Sequence, residues 1–251
     1  MTEYEGLIAE TVVIRGHEGT RVPAYTARPL GAGPHPGLVL IHHRHGFDWA
    51  SRETVRRFAS EGYATVMPNL HHRYAPGAEA AAAAEAVQAA GGVTDAECLG
   101  DVAGALEEVR SQAYSNGKMG VIGYCSGGRQ AYLAAATLAF DATVVCYGGR
   151  IVPSEEDVNE RTPVPPIRLT ADITSPVLSL SGAEDRRPSP EETALVEAEL
   201  EKLGKVHRVV IYPDAGHAFF GVDRDLYRPE AARLGWAEVL AWFKRYLTAK
   251  A

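Results

Sequence analysis

Apolar residues fall along the chain in short blocks set between polar stretches, and the length of each block separates strand from helix. Leu38–Ile41, Tyr63–Met67, Thr143–Tyr147 and Val177–Leu180 are short and almost wholly apolar, with many β-branched members. Such runs predict strands buried on both faces, as in a parallel sheet. Met119–Ile122 and Val206–Tyr212 add two more. Thr11–Ile14 and Val22–Ala27 flank the polar turn Arg15–Arg21 and predict an antiparallel hairpin at a sheet edge.

Helical spacing fills the intervals. Ser51–Ser60 predicts a helix with Arg52, Arg56 and Arg57 on its wet side. Thr94, followed three places later by Glu97, forms a capping-box pattern that opens a helix running to about Ala113. Ser189-Pro190-Glu191-Glu192 supplies an N-cap, a proline at the first helical position and a capping glutamate, and that helix stops near Gly204. Pro229–Leu247 closes the chain. Glu79–Ala90 is nearly all alanine and glutamate; it can be helical on propensity but has little to bury, which predicts a surface or lid helix. Gly148–Ala171 is proline-rich and reads as a loop excursion. Strands alternating with helices predict an α/β fold, a mostly parallel central sheet with helices on both faces, as one domain over residues 1–251.

Composition changes this picture little: 46% hydrophobic and 23% charged residues are ordinary for a globular protein. The net charge of −7 argues against nucleic acid as a partner and does not favour anionic membranes. Cys98, Cys125 and Cys146 are an odd number and do not read as a disulfide framework, which points to a reducing compartment. The opening MTEYEGLIAETVV lacks the basic start and apolar core of a signal peptide, and no apolar run reaches the ~18 residues of a membrane span. The expectation is a cytoplasmic protein, monomer or homodimer, acting on a small molecule.

The chemistry centres on KMGVIGYCSGG, residues 118–128. A buried-type strand runs into Gly123-Tyr124-Cys125-Ser126-Gly127, and a helix follows at once. This is the context of a nucleophile elbow, a strand-to-helix turn so sharp that its central residue sits at strained backbone angles. Gly123 and Gly127 bracket Cys125, so the frame selects Cys125 as nucleophile and leaves Ser126 to donate a backbone N–H to an oxyanion. In doubly wound sheets, reactive groups gather past the carboxyl ends of strands. That rule picks out HHRHGFDW, NLHHRY, SGAEDRRP and DAGHAFF beside the elbow. A thiol needs a base and a group to orient that base. His217 and Asp185 follow later strands in the right order, with Glu184 as an alternative to Asp185.

With GYCSGG, SGAED and AGHAFF in place, the chain resembles the dienelactone hydrolase family from about Val12 to Leu247. The resemblance implies an α/β-hydrolase fold and a Cys125–His217–Asp185 triad opening lactones or small esters through an acyl-enzyme, with no cofactor. It also implies a second oxyanion donor at the Arg44 amide and a substrate-carboxylate arginine at Arg73, hence an anionic substrate. His43 and Phe219 complete the expected substrate contacts. Two places depart from the family pattern. His43 stands where type members carry a glutamate near the thiol, and Gly221 or Phe220 stands where they carry a second arginine. A protonated imidazole beside a thiol favours thiolate, so Cys125 is expected to ionise readily with His43 and His217 flanking it. Arg150 is a further candidate for the anion, and Phe47, Trp49 and Tyr74 for apolar walls.

Three rival readings stand beside this one. A thioesterase or other acyl-transfer enzyme would use the same triad. The histidines at 42, 43, 45, 71 and 72 lie after adjacent strands and raise the idea of a metal, but they form no HExxH pattern and Arg44 and Arg73 would repel a cation. A binding protein that keeps the fold without turnover is the third.

Overall fold

The computed structural model describes residues 6–154 and 157–248. Its strands are β1 (Leu7–Arg15), β2 (Arg21–Pro29), β3 (His35–Ile41), β4 (Ala64–Pro68), β5 (Ser115–Tyr124), β6 (Ala142–Cys146), β7 (Val177–Gly182) and β8 (His207–Tyr212). Its α-helices are α1 (Trp49–Ser60), α2 (Ala80–Ala89), α3 (Asp95–Arg110), α4 (Ser126–Thr137), α5 (Pro190–Lys202) and α6 (Pro229–Leu247). The strands join one sheet in the order β1-β2-β4-β3-β5-β6-β7-β8. From β4 to β8 all pairings are parallel, whereas β1 with β2 and β2 with β4 are antiparallel. This is the expected mostly parallel sheet with a hairpin at one edge.

Period-two alternation explains how one sheet fills two cores. Leu38, Leu40, Ile122 and Val144 point to the face covered by α1 and α6, where they meet Val55, Phe58, Trp242 and Phe243. Val39, Ile41 and Val121 point the other way and meet Val102 and Ala105 of α3 and Ala131 of α4. Val145 and Val177 extend that second face onto Tyr132 of α4 and Val196 and Leu200 of α5.

Both predicted capping boxes form. The Thr94 hydroxyl accepts from Glu97 N–H, and Thr94 N–H donates to the Glu97 carboxylate. Ser189 and Glu192 repeat the exchange. Several boundaries differ from the expectation. The hairpin is longer, pairing Leu7 with Pro29 at its open end, because its ladder continues past the apolar residues that marked it. The α3 helix ends at Arg110, and the 148–171 excursion runs into a 3-10 turn over Pro166–Asp172. The α1 helix begins two residues early at Trp49, capped by the Asp48 carboxylate accepting from Ser51 N–H at 2.8 Å.

Strand order reverses around β3, which has β4 on one side and β5 on the other. Loops leaving the carboxyl ends of β3 and β5 therefore diverge to opposite faces and open a crevice between them. That crevice is where the polar segments after the strands collect.

Candidate active site

Cys125 sits between β5 and α4 at φ 58°, ψ −118°, in the positive-φ region that side chains rarely occupy. The turn leaves no room for alternatives: a Cβ built on Gly123 would lie 1.8 Å from the Gly127 carbonyl oxygen. A Cβ on Gly127 would lie 2.2 Å from the Ile41 carbonyl at the end of β3. The two glycines thus allow α4 to start directly under the turn, pressed against the neighbouring strand. Cys125 N–H donates to the Cys146 carbonyl at 3.0 Å, which carries the ladder between β5 and β6 into the turn itself.

The loops after β7 and β8 are laced together by backbone. Ala183 N–H donates to the Tyr212 carbonyl and Glu184 N–H to the Ala215 carbonyl, each at 2.9 Å. This lacing brings Asp185 and His217 side by side. Asp185 is buried, with one carboxylate oxygen accepting from His217 Nδ1–H at 2.8 Å and the other from Arg187 N–H at 2.8 Å. Glu184, the alternative orienter, is exposed. The His217 ring lies close enough to the Cys125 sulfur to lower the thiol's pKa.

Electrostatics follow from that row of contacts. Burial alone would raise the Cys125 thiol. The hydrogen bond and charge of His217 outweigh it, helped by backbone N–H groups of Ser126 and Arg44, and hold the thiol below its ordinary value. Burial likewise opposes a charge on His217, but Asp185 on one side and Cys125 on the other push it up to about 10. The two shifts act in the same sense, each favouring a thiolate beside an imidazolium over two neutral groups. The same two amides that reach the sulfur, from Ser126 and Arg44, are the ones expected to hold an oxyanion.

The remaining expected contacts are met unevenly. His43 lines the cavity, but its Nε2 is bonded to the Asp48 carboxylate at 2.8 Å. The expected activation of the thiol by His43 must therefore compete with Asp48 for the ring, and the leading influences lowering Cys125 are His217 and the backbone. Arg73 is not a pocket residue. Its guanidinium grips the Asp101 carboxylate through two nitrogens, at 2.5 and 2.8 Å, and Asp101 is fully buried and also accepts from His17 N–H. A buried carboxylate has claimed the arginine. Phe219 is also corrected: it is fully buried against Tyr147 and Tyr212, and its neighbour Phe220 lines the cavity instead. Arg150 does line the cavity, with Arg187, both pairing to Asp157. Phe47 is buried beneath the Arg52 guanidinium. Trp49 is exposed outside the cavity, and Tyr74 donates to Glu97.

The histidine cluster has structural duties. His42 is buried; its Nε2 accepts from Leu70 N–H at 3.2 Å, so its Nδ1–H donates to the His43 carbonyl at 2.9 Å. Burial, with His71 stacked edge-on at 4.7 Å, drives its pKa down to about 3, so it bridges the loops after β3 and β4 as a neutral ring. Burial lowers His71 to about 4 as well. Among the described residues, no three His, Cys, Asp or Glu side chains are grouped to hold a metal ion.

Sequence reasoning missed two residues here. Tyr147, just past β6, takes a positive φ of 40° and sets its ring 5.2 Å from that of His217. Asp48 joins the α1 cap to His43; the N-cap pattern before Ser51 was the available signal. The cavity over the whole site encloses about 1120 Å³.

A cysteine on a strained strand-to-helix turn, with acid and histidine on the loops after two later strands of a mostly parallel sheet, defines the α/β-hydrolase fold. Within that class, the chain belongs to the dienelactone hydrolase family, whose model matches residues 22–247. It is 30% identical over 247 residues to a Methylorubrum extorquens protein named "Putative carboxymethylenebutenolidase", covering 98% of this chain and 84% of that one. A Bradyrhizobium protein named "Probable 2-oxo-3-(5-oxofuran-2-ylidene)propanoate lactonase" is 30% identical over 238 residues, 94% of each chain. The crystal structure of a Klebsiella pneumoniae protein described as "Putative Dienelactone Hydrolase" superposes with a TM-score of 0.85 at 30% identity, over 96% of this chain and 100% of that one. Among the described residues, no helix is long and apolar enough to cross a membrane.

Proposed function

We propose that this protein hydrolyses a lactone or carboxylic ester through an acyl-enzyme on Cys125. The observation that carries this reading is Cys125 on the strained turn before α4, with His217, held by the buried Asp185 carboxylate, acting on its thiol. The family membership and the lactonase name of a relative agree with it.

The chemistry starts from the Cys125 thiolate with its proton on His217. The Cys125 thiolate attacks the carbonyl carbon, and the electron pair of the C=O bond moves to oxygen. Amides of Ser126 and Arg44 stabilise that oxyanion at the start of α4, where the helix dipole adds to their effect. On collapse, the C–O bond to the leaving group breaks and His217 gives its proton to the departing alkoxide. In a lactone the alcohol stays tethered to the acyl group. Neutral His217 then takes a proton from water, the hydroxide attacks the thioester, and Cys125 leaves as thiolate again. Asp185 keeps the proton on Nδ1 and so aims Nε2 at the reacting atoms. Arg44, Arg150 and Arg187 at the cavity suit a substrate that also carries a carboxylate.

Rapid acid quenching during turnover of p-nitrophenyl acetate tests the reading by intact mass. One added acetyl group on Cys125, absent with loss of turnover in Cys125→Ala, is expected. Full activity in Cys125→Ala would overturn it.

A further inference from the structure

The α2 helix spends little of its apolar side on the protein core. Ala83 and Val87 are its buried residues, and neither joins the three clusters that fill the faces of the sheet. Ala80, Ala84 and Val87, spaced by four and three and hence on one side of the helix, line the cavity that holds Cys125, while Ala81, Glu85 and Gln88 reach it along the adjacent side and give the apolar stripe a polar border. An alanine methyl is the shortest side chain that still excludes water, so this stripe makes a flat apolar wall and keeps the cavity wide. At about 1120 Å³ the cavity is larger than the roughly 300–1,000 Å³ that encloses drug-sized ligands. A compact lactone would leave much of it wet, with the methyls facing water. Tyr124 and Phe220 continue the apolar lining.

We infer that the alanine stripe of α2 is a subsite for a bulky apolar group of the substrate, so that the natural substrate is an ester or lactone bearing a large aliphatic or aryl substituent. The inference rests on the Cys125 reading for turnover but not for binding. Apolar surface on both partners leaves water when the group seats, and each buried methylene raises affinity or kcat/KM about fourfold. Leucine at position 84 would fill the space the methyl leaves open.

The test compares p-nitrophenyl hexanoate with the acetate. In the wild type, kcat/KM for hexanoate should exceed that for acetate at least tenfold. Ala84→Leu should lower this ratio at least tenfold, and Ala82→Leu, which is exposed and outside the cavity lining, should keep it. If Ala84→Leu fails to fold, Ala81→Leu gives the same readout. Calorimetry on Cys125→Ala supplies the independent arm: hexanoate should bind at least tenfold tighter than acetate, and addition of Ala84→Leu should abolish the difference. A wild-type ratio at or below one, an unchanged ratio in Ala84→Leu, or equal binding of the two acids overturns the subsite. Turnover that survives in Cys125→Ala instead overturns the nucleophile, and the binding arm still decides on the subsite.

Discussion

Removing the His217 imidazole should uncouple Cys125 from neutral-pH chemistry, and alkylation by iodoacetamide reads this without any substrate. An unperturbed thiol near 8.5 is about 3% ionised at pH 7 and about 0.3% at pH 6. In the wild type, Cys125 lies below its ordinary value and His217 at about 10. The ion pair therefore spans the interval between them, and both limits belong to the pair rather than to either residue. It is lost as pH falls through the thiol's lowered value, because the sulfur takes a proton. It is lost again as pH rises through about 10, because the imidazolium gives one up, although the sulfur stays ionised. The alkylation rate near neutral pH should accordingly exceed that of an unperturbed thiol, while ester turnover declines above about 10 for want of a proton on His217. In His217→Ala the stabilising bond and charge disappear and burial remains, which raises the thiol. The rate at pH 7 should then fall by on the order of 10-fold or more, and it should climb about tenfold per pH unit. Cys98 and Cys146 are fully buried and do not compete for the reagent. A wild-type thiol that reacts only above about pH 8.5, or a profile indifferent to His217→Ala, would refute the reasoning.

Three further outcomes are expected. Asp185→Asn should lower kcat by roughly 10²–10⁴ with little change in KM, because the Arg187 N–H claims the amide oxygen, the amide NH₂ turns to Nδ1 and fixes the wrong tautomer, and the carboxylate charge is gone; steady-state kinetics on any turned-over ester checks it. Arg73→Ala leaves the fully buried Asp101 carboxylate without its ion pair and should cost ~3–5 kcal/mol in urea unfolding. KM for carboxylate-bearing esters should be unmoved, and a selective rise in that KM would restore Arg73 to the substrate site. Gly123→Ala drives a methyl into the Gly127 carbonyl and should destabilise by ~3 kcal/mol or more, at the upper end of overpacking costs; a midpoint equal to wild type in denaturant would contradict the close approach.

The architecture was legible in the chain because its information is local. Nearly continuous apolar runs mark strands buried on both faces, and Thr94 with Glu97 or Ser189 with Glu192 mark helix starts, since each interaction lies within one turn. The elbow was legible for the same reason: strand, glycine, cysteine, glycine and helix are contiguous, and sterics at the turn dictate that order. What resisted reading depends on partners distant in sequence. Arg73 looks like a pocket cation until Asp101, twenty-eight positions on, is seen to hold it. His43 stands beside Arg44, but Asp48 holds its Nε2. The Phe219–Phe220 pair divides between core and cavity, which two identical neighbouring side chains cannot signal. Glu79–Ala90 carries so little side-chain information that nothing along the chain tells whether its methyls meet solvent, core or substrate space. A charge or a methyl has a role only once its neighbour is known, and neighbours across a sheet are set by packing and not by adjacency along the backbone.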